Sequence, residues 1–181
     1  TVATWLRGRL RSMEGERAGI VHRLDRATSG VMICAKTPEA HSWLQKQFAQ
    51  RRVKKTYSAI VTGELTEPEA VIDMPVERNP KHPQTFRVGA NGKPAVTHYY
   101  VVHTTDEYSL VELKPETGRT HQLRVHMAHL GHPIVGDTLY GGKLSERLYL
   151  HAHQLELTLL NRERKVFVSP IPASFDTLMK S

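Results

Sequence analysis

"AVTHYYVVH" (residues 95–103) and "YSLVELKP" (residues 108–115) are two runs rich in Val, Tyr and Thr, divided by the polar stretch Thr104-Thr105-Asp106-Glu107. β-Branched and aromatic side chains suit a pleated, half-buried surface, so both runs read as strands. A connection this short joins antiparallel neighbours, because a parallel crossover needs a dozen or more residues. The pattern recurs near the end of the chain, where "LHAHQLELTLL" (150–160) and "KVFVSP" (165–170) flank Asn161-Arg162-Glu163-Arg164. Two such hairpins put an antiparallel or mixed sheet at the centre of the fold.

The rest of the chain adds to that sheet or covers it. "KKTYSAIVTGEL" (54–65) reads as a strand ending near Gly63, and residues 30–36 as a buried strand. Thr37-Pro38-Glu39 is a helix start: a capping hydroxyl, proline at the first helical position and an acid in the first turn. In the helix that follows, Ala40, Trp43, Leu44 and Phe48 share a face, and the element runs into the basic group Gln50-Arg51-Arg52. Val2, Leu6, Leu10 and Met13 have helical spacing at the start. Residues 67–94 carry five prolines and few strand signals, and read as an irregular excursion over the surface. The expected class is α+β: a mostly antiparallel sheet with flanking helices, in a single domain spanning 1–181.

Composition narrows the function. The chain has 181 residues, 39% hydrophobic and 24% charged, which is the balance of a globular domain. No apolar run approaches the roughly 18 residues of a membrane span, so no membrane partner is expected. The single cysteine, Cys34, lies in an apolar run and reads as packing; without an internal disulfide, a reducing compartment is expected. The first residue is Thr1 and no signal pattern follows it, which suits a fragment or processed chain. A net charge of +7 favours a polyanionic partner, because phosphate contacts release condensed counterions.

Chemistry concentrates in two stretches. In "GIVHRLDRATSGVMICAKT" (19–37), Asp25 sits between Arg23 and Arg26 on a turn leading into the apolar run. Such a position holds a carboxylate at the rim of a cleft; the plainer reading is an acid that caps the turn and pairs with Arg23 or Arg26. In "LKPETGRTHQLRVHMAHLGHPIVGD" (113–137) a helix pattern follows Glu116-Thr117-Gly118 and stops at Gly131. Leu123, Met127 and Leu130 form its apolar stripe, while Arg119, Gln122, His126 and His129 line a different face, suited to phosphates and a substrate carbonyl. Arg119, at the helix start, has the fork for a bidentate pair with a carboxylate. Histidines 121, 126, 129 and 132 lack the spacing and the glutamate of the zinc-hydrolase helix, so no metal is expected. Tyr57 follows the basic pair Lys54-Lys55; it is either an ordinary sheet tyrosine or a ring that stacks on a base, with a hydroxyl positioned for proton transfer.

Taken in order, "HRLDRATSG", "KKTYSAIVTG", "GKPAVTHY" and "ETGRTHQLRVHMAHLGHPIVGD" resemble the RluA-type pseudouridine synthases, which isomerise uridine in ribosomal or transfer RNA. The likeness runs from about Gly19 to "LYLHAHQLEL". It implies a mixed, mostly antiparallel sheet crossed by an RNA-binding cleft, and an isomerase that needs neither metal nor organic cofactor. It places the family's catalytic aspartate on Asp25, its active-site tyrosine on Tyr57 and the arginine that pairs with the aspartate on Arg119. It also implies a catalytic domain without the S4 RNA-binding domain of many members, and nothing before Gly19 matches the Lys-Pro strand region with which the family's domain begins. The expected partner is a stem-loop of ribosomal or transfer RNA containing the target uridine. Arg23, Lys54, Lys55, Gln122 and His126 are expected to hold it, and the protein to act as a monomer in the cytoplasm. The rival readings are an RNA-binding protein without catalysis and a hydrolase that releases uracil.

Overall fold

The structure, a computed structural model, describes residues 2–7, 9 and 19–180. In chain order the elements are α1 (Val2–Arg7), β1 (Ser29–Gly30), α2 (Pro38–Ala49), β2 (Lys54–Thr62), β3 (Glu69–Asp73), β4 (Val76–Arg78) and β5 (Phe86–Val88). β6 (Val96–Thr104), β7 (Tyr108–Pro115), α3 (Gln122–His129), a 3-10 turn (Thr138–Tyr140), β8 (Leu150–Thr158), β9 (Arg164–Val168) and α4 (Ala173–Met179) follow. The main sheet runs β1-β8-β2-β7-β6-β3, with β9 also on β8. Among the described residues, only the short β1–β8 pairing in this sheet is parallel. The fold is therefore the mixed, mostly antiparallel α+β class expected.

β2 and β7 form its centre, with Ala59 opposite Val111 and Tyr57 opposite Leu113. Ile60, Val61, Val111, Leu113, Met127 and Ile134 have no exposed surface, so α3 and the segment after it close one face of the sheet. α2 covers a second cluster, in which Leu44 packs with Val53, Leu155 and Leu157, and Ala40, Trp43 and Phe48 pack around them. Its cap is the one the sequence indicates: Thr37 Oγ1 accepts from the Ala40 N–H. Gln47 pins the helix to β8, donating to Thr158 O and accepting from the Thr158 N–H.

Two expectations are corrected. Residues 30–36 do not make a buried strand, for β1 ends at Gly30 and the chain then leaves the sheet. The edge of β8 explains this: β1 pairs with His151 and Ala152, while β9 occupies Gln154–Thr158. Residues 67–94 are not irregular either. β3 forms a full ladder with β6, and β4 with β5 makes a second, two-stranded sheet. The prolines at 68, 75, 80, 83 and 94 all fall between strands, where no ladder donor is lost. Of the expected first helix, Val2 and Leu6 lie in α1, while Leu10 and Met13 lie outside the described residues.

Candidate active site

A cleft of about 480 Å³ opens across β2. Its walls are the loop 21–28, the C-terminal end of α2, and the loop 115–121 that leads into α3. Arg23, Arg51, Lys55, Arg119 and Arg124 line it against only two acids, Asp25 and Glu116. The excess of positive charge inside a concave wall attracts a polyanion.

Asp25 hangs from a loop that side chains and backbone hold at several points. Ile20 bridges Cys34 at the base, and the Thr28 N–H donates to Asp25 O across the turn. His22 stacks on Phe48 and accepts the Ile33 N–H at its Nε2. Burial, and the nearby Lys55 charge, hold the His22 pKa down at about 4, so the neutral ring needed for that acceptor persists at working pH. The loop leaves through Gly30, whose φ of 121° only glycine adopts with ease; a Cβ there would stand 2.3 Å from Ala152 O. Ser29 Oγ donates to His151 Nδ1 and accepts from Arg147, which ties the exit of the loop to β8.

The partner of Asp25 is Arg124, not Arg119. Arg124 Nη1 lies 3.7 Å from Asp25 Oδ2. The rest of that guanidinium grips Asp137 in two hydrogen bonds, Nε to Oδ2 at 2.7 Å and Nη2 to Oδ1 at 2.8 Å. Asp25, Arg124 and Asp137 thus form a row that deepens from 18% to 10% to 1% side-chain exposure. Arg119 also lines the cleft, but its Nε donates to Pro94 O. The cause is the helix start. His121 adopts φ 57°, and α3 begins only at Gln122, so Arg119 belongs to the loop rather than to the helix face. The missed residue carried a signal. An arginine between Leu123 and Val125 on a helix is bound for the interior, where its charge needs a carboxylate.

Gln122 and His126 are both buried, with their polar atoms engaged within the fold, and Gln122 also lines the cleft. Gln122 Oε1 accepts from Thr117 Oγ1 and the Arg119 N–H, while its Nε2 donates to Val96 O and Thr97 Oγ1. His126 Nε2 donates to Met74 O and its Nδ1 accepts from Thr97 Oγ1. Together they brace the loop 115–121 against β6. The other histidines are engaged apart from one another: His121 Nδ1 with the Tyr140 hydroxyl, and His132 Nδ1 with Thr62 O. Among the described residues, no group of three or more His, Cys, Asp or Glu could hold a metal ion.

Tyr57 and Lys55 point from β2 into the cleft, whereas Lys54 is exposed beyond it and stands opposite Glu156 on β8. Burial, and the nearby Asp25 charge, push the Tyr57 pKa up to about 12, so the phenol keeps its proton. Lys55 Nζ donates to Thr117 O, and burial beside Arg51 lowers its pKa to about 8. Arg23 is exposed at the mouth of the cleft.

A partly buried aspartate–arginine pair at the floor of a basic cleft, on a mostly antiparallel sheet, makes an enzyme-like site with the charge to attract a polyanion. The model of the family described as RNA pseudouridylate synthase matches residues 3–129, and the chain belongs to that family. It is 43% identical, over 89% of its length, to a protein of Bacillus subtilis strain 168 described as an uncharacterized RNA pseudouridine synthase, covering 55% of that relative. It is 42% identical to the ribosomal large subunit pseudouridine synthase D of Nitrosomonas europaea, over 91% of this chain and 51% of that one. The chain therefore spans little more than half the length of these curated relatives. Among solved structures, human RNA pseudouridylate synthase domain containing 1 superposes with a TM-score of 0.83 at 33% identity, over 98% of this chain and 77% of its own.

Proposed function

We propose that this chain isomerises uridine to pseudouridine in RNA, with Asp25 as the reacting carboxylate. The observation that carries the reading is the position of Asp25: partly exposed at the cleft floor and 3.7 Å from a guanidinium that is itself fixed from behind. In the reaction the C1′–N1 bond breaks, the uracil turns, and C1′ bonds to C5. The C5 proton leaves and N1 gains one, so the atoms balance without a redox partner. Asp25 acts toward the sugar, as nucleophile at C1′ or as base at C2′, and Arg124 faces it at 3.7 Å in either role.

Tyr57 supplies a face on which the uracil stacks. Its high pKa argues against a phenolate that removes the C5 proton. The target base must leave its helix to reach Asp25, and Arg23 at the cleft mouth is placed to fill the gap it leaves. Lys55, Arg51 and Arg119 are placed for the flanking phosphates. The names of the relatives make large-subunit ribosomal RNA the first substrate to test.

The test is a large-subunit ribosomal RNA transcript carrying tritium at C5 of its uridines. Pseudouridine formation releases the label to water and leaves the base attached to the chain. Asp25→Asn is expected to abolish release while RNA affinity stays within about twofold, since only the charged carboxylate does the work. Substantial turnover by the Asn variant would overturn the role of Asp25. Free uracil would mark a hydrolase instead.

A further inference from the structure

We propose that the turn after α2 and the β8–β9 hairpin carry a second RNA-binding surface, an outer track of arginines that continues the cleft and takes the phosphates of the strand flanking the target uridine. The proposal rests on the pseudouridine synthase reading above. Two backbone angles point to it. Among the described residues, three that are not glycine have a positive φ, and two of them are arginines: Arg51 at 56° and Arg162 at 69°. Arg51 follows Gln50, the C-cap of α2, in the place where helices favour glycine. Arg162 closes the loop between β8 and β9. Its N–H donates to Leu159 O and the Leu159 N–H donates to Glu163 O, which makes a three-residue loop whose last position also favours glycine. Both turns would form more easily with glycine, so neither arginine is explained by the backbone that holds it.

The two turns belong to one surface. Arg51 lines the cleft, and the Arg52 carbonyl after it accepts from Arg164 Nη1 at 3.0 Å. Arg164 Nε donates to Glu156 at 2.8 Å, and Lys54 stands opposite that acid on β2. Thr158 ties the hairpin to α2, for Trp43 Nε1 and Gln47 Nε2 both donate to its carbonyl. The Arg162 guanidinium lies over the Trp43 ring, 4.4 Å from its centroid. A guanidinium held on an indole face keeps N–H groups at its edge for a phosphate.

Arg51, Arg52, Lys54, Arg162 and Arg164 are all exposed. Two acids stand among them: Arg164 takes Glu156, and the Asn161 amide donates to Glu163. The stretch keeps an excess of positive charge beside the cleft wall that α2 forms. A strand that leaves Asp25 past Arg51 meets this charge next, and each phosphate held there releases counterions.

Arg52 and Arg162 separate the track from the cleft, since neither lines it. The double variant Arg52→Ala/Arg162→Gly is compared with wild type on two RNAs, the large-subunit ribosomal RNA transcript and the trinucleotide UpUpU, whose phosphates the cleft cations alone can meet. For the transcript, the slope of log Kd against log salt is expected to fall by about 1.4, the share of two phosphates on a single strand. Its Kd near physiological salt should rise about five- to tenfold. The Kd for UpUpU should stay within about twofold, and the melting temperature should hold or rise, because glycine suits the backbone at 162. An unchanged transcript Kd and slope would overturn the proposal, whatever the melting temperature does. So would an equal loss on both RNAs, which would trace to net charge rather than to a track. Should this variant fail to fold, Arg52→Gln with Arg162→Asn removes the same charges, since asparagine also tolerates the left-handed backbone, and the same outcomes decide. A wild-type protein that releases no tritium from the C5-labelled transcript would refute the pseudouridine synthase reading, while the two Kd values, measured without turnover, still decide the track.

Discussion

The cleft has two zones of charge that behave differently. At its mouth, Arg23 and Arg51 are exposed, with Arg119 half-exposed beside them. At its floor, Asp25, Arg124 and Asp137 form a row that closes toward the interior. Water and salt screen the mouth, so each of its cations contributes modestly and the sum depends on ionic strength. The floor is desolvated, and there a charge without its partner is costly. On the proposed function, the two zones divide two tasks that one basic surface conceals: the mouth would gather RNA, and the floor would hold one carboxylate in a reactive state.

Arg124→Ala should give the largest effect, because it breaks the floor at its centre. It leaves Asp137 buried with no counter-charge and Asp25 without a neighbour. Breaking a buried pair in this way costs about 3–5 kcal/mol. A thermal melt should show a drop of roughly 6–20 °C for a domain of this size. Activity in the tritium assay should fall about a hundredfold or more, with RNA affinity less affected. Arg124→Lys should not restore it, since a point charge lacks the fork that Asp137 grips. A stable, active Ala variant would mean that floor and mouth do not differ.

The fold was more legible in the sequence than this floor was. β6, β7, β8 and β9 could be read because each ladder depends on local alternation and a short connection. α2 could be read because its cap and its apolar face lie within one stretch of chain. The loop that carries Asp25 could not, since β1 depends on where β9 ends along β8, which no local pattern states. The β3–β6 ladder was hidden for the opposite reason: prolines that punctuate strands were read as excluding them. Asp25 and Tyr57 both line the cleft. His121, whose left-handed backbone delays the helix, keeps Arg119 off the element that carries Arg124. Gln122 and His126 looked like a ligand-facing stripe because polar periodicity marks a solvent face in most helices. Here β6 supplies enough polar partners to bury them.

Lys55 lies between the two zones and offers a sharper test of the boundary. Burial beside Arg51 lowers its pKa from 10.5 to about 8, so its charge is lost as pH rises through 8. The affinity for RNA should therefore weaken several-fold between about pH 7 and pH 9, beyond the drift of the surface cations, if Lys55 meets a phosphate. Lys55→Arg, which keeps its charge, should flatten that profile. Stability should move the other way. Between pH 8 and 10.5 the unfolded chain binds the Lys55 proton and the folded chain does not, so this group's contribution to stability rises with pH across that window. Affinity that holds steady to pH 9 in the wild type would place Lys55 with the floor, as a support for Thr117, rather than with the RNA.

The smallest effect should come from Arg119→Ala, and it is the most direct way to break the comparison. Arg119 lies five positions from Arg124 in the same motif, yet its Nε donates to the backbone oxygen of Pro94. The loop that carries it does not depend on that side chain, because Gln122 holds the Arg119 N–H and Thr117 Oγ1. Truncation should therefore leave the walls of the cleft in place. What it removes is one cation from the path of the phosphates. The slope of log Kd against log salt should drop by about 0.7, the share of one phosphate on a single strand. Affinity near physiological salt should weaken about two- to threefold, while kcat on the tritiated transcript stays within about twofold. A kcat loss as deep as that of Arg124→Ala, with the salt slope unchanged, would show that Arg119 reaches the carboxylate during the reaction. The division between a gathering mouth and a reactive floor would then fail at the one residue that the sequence assigned to the carboxylate.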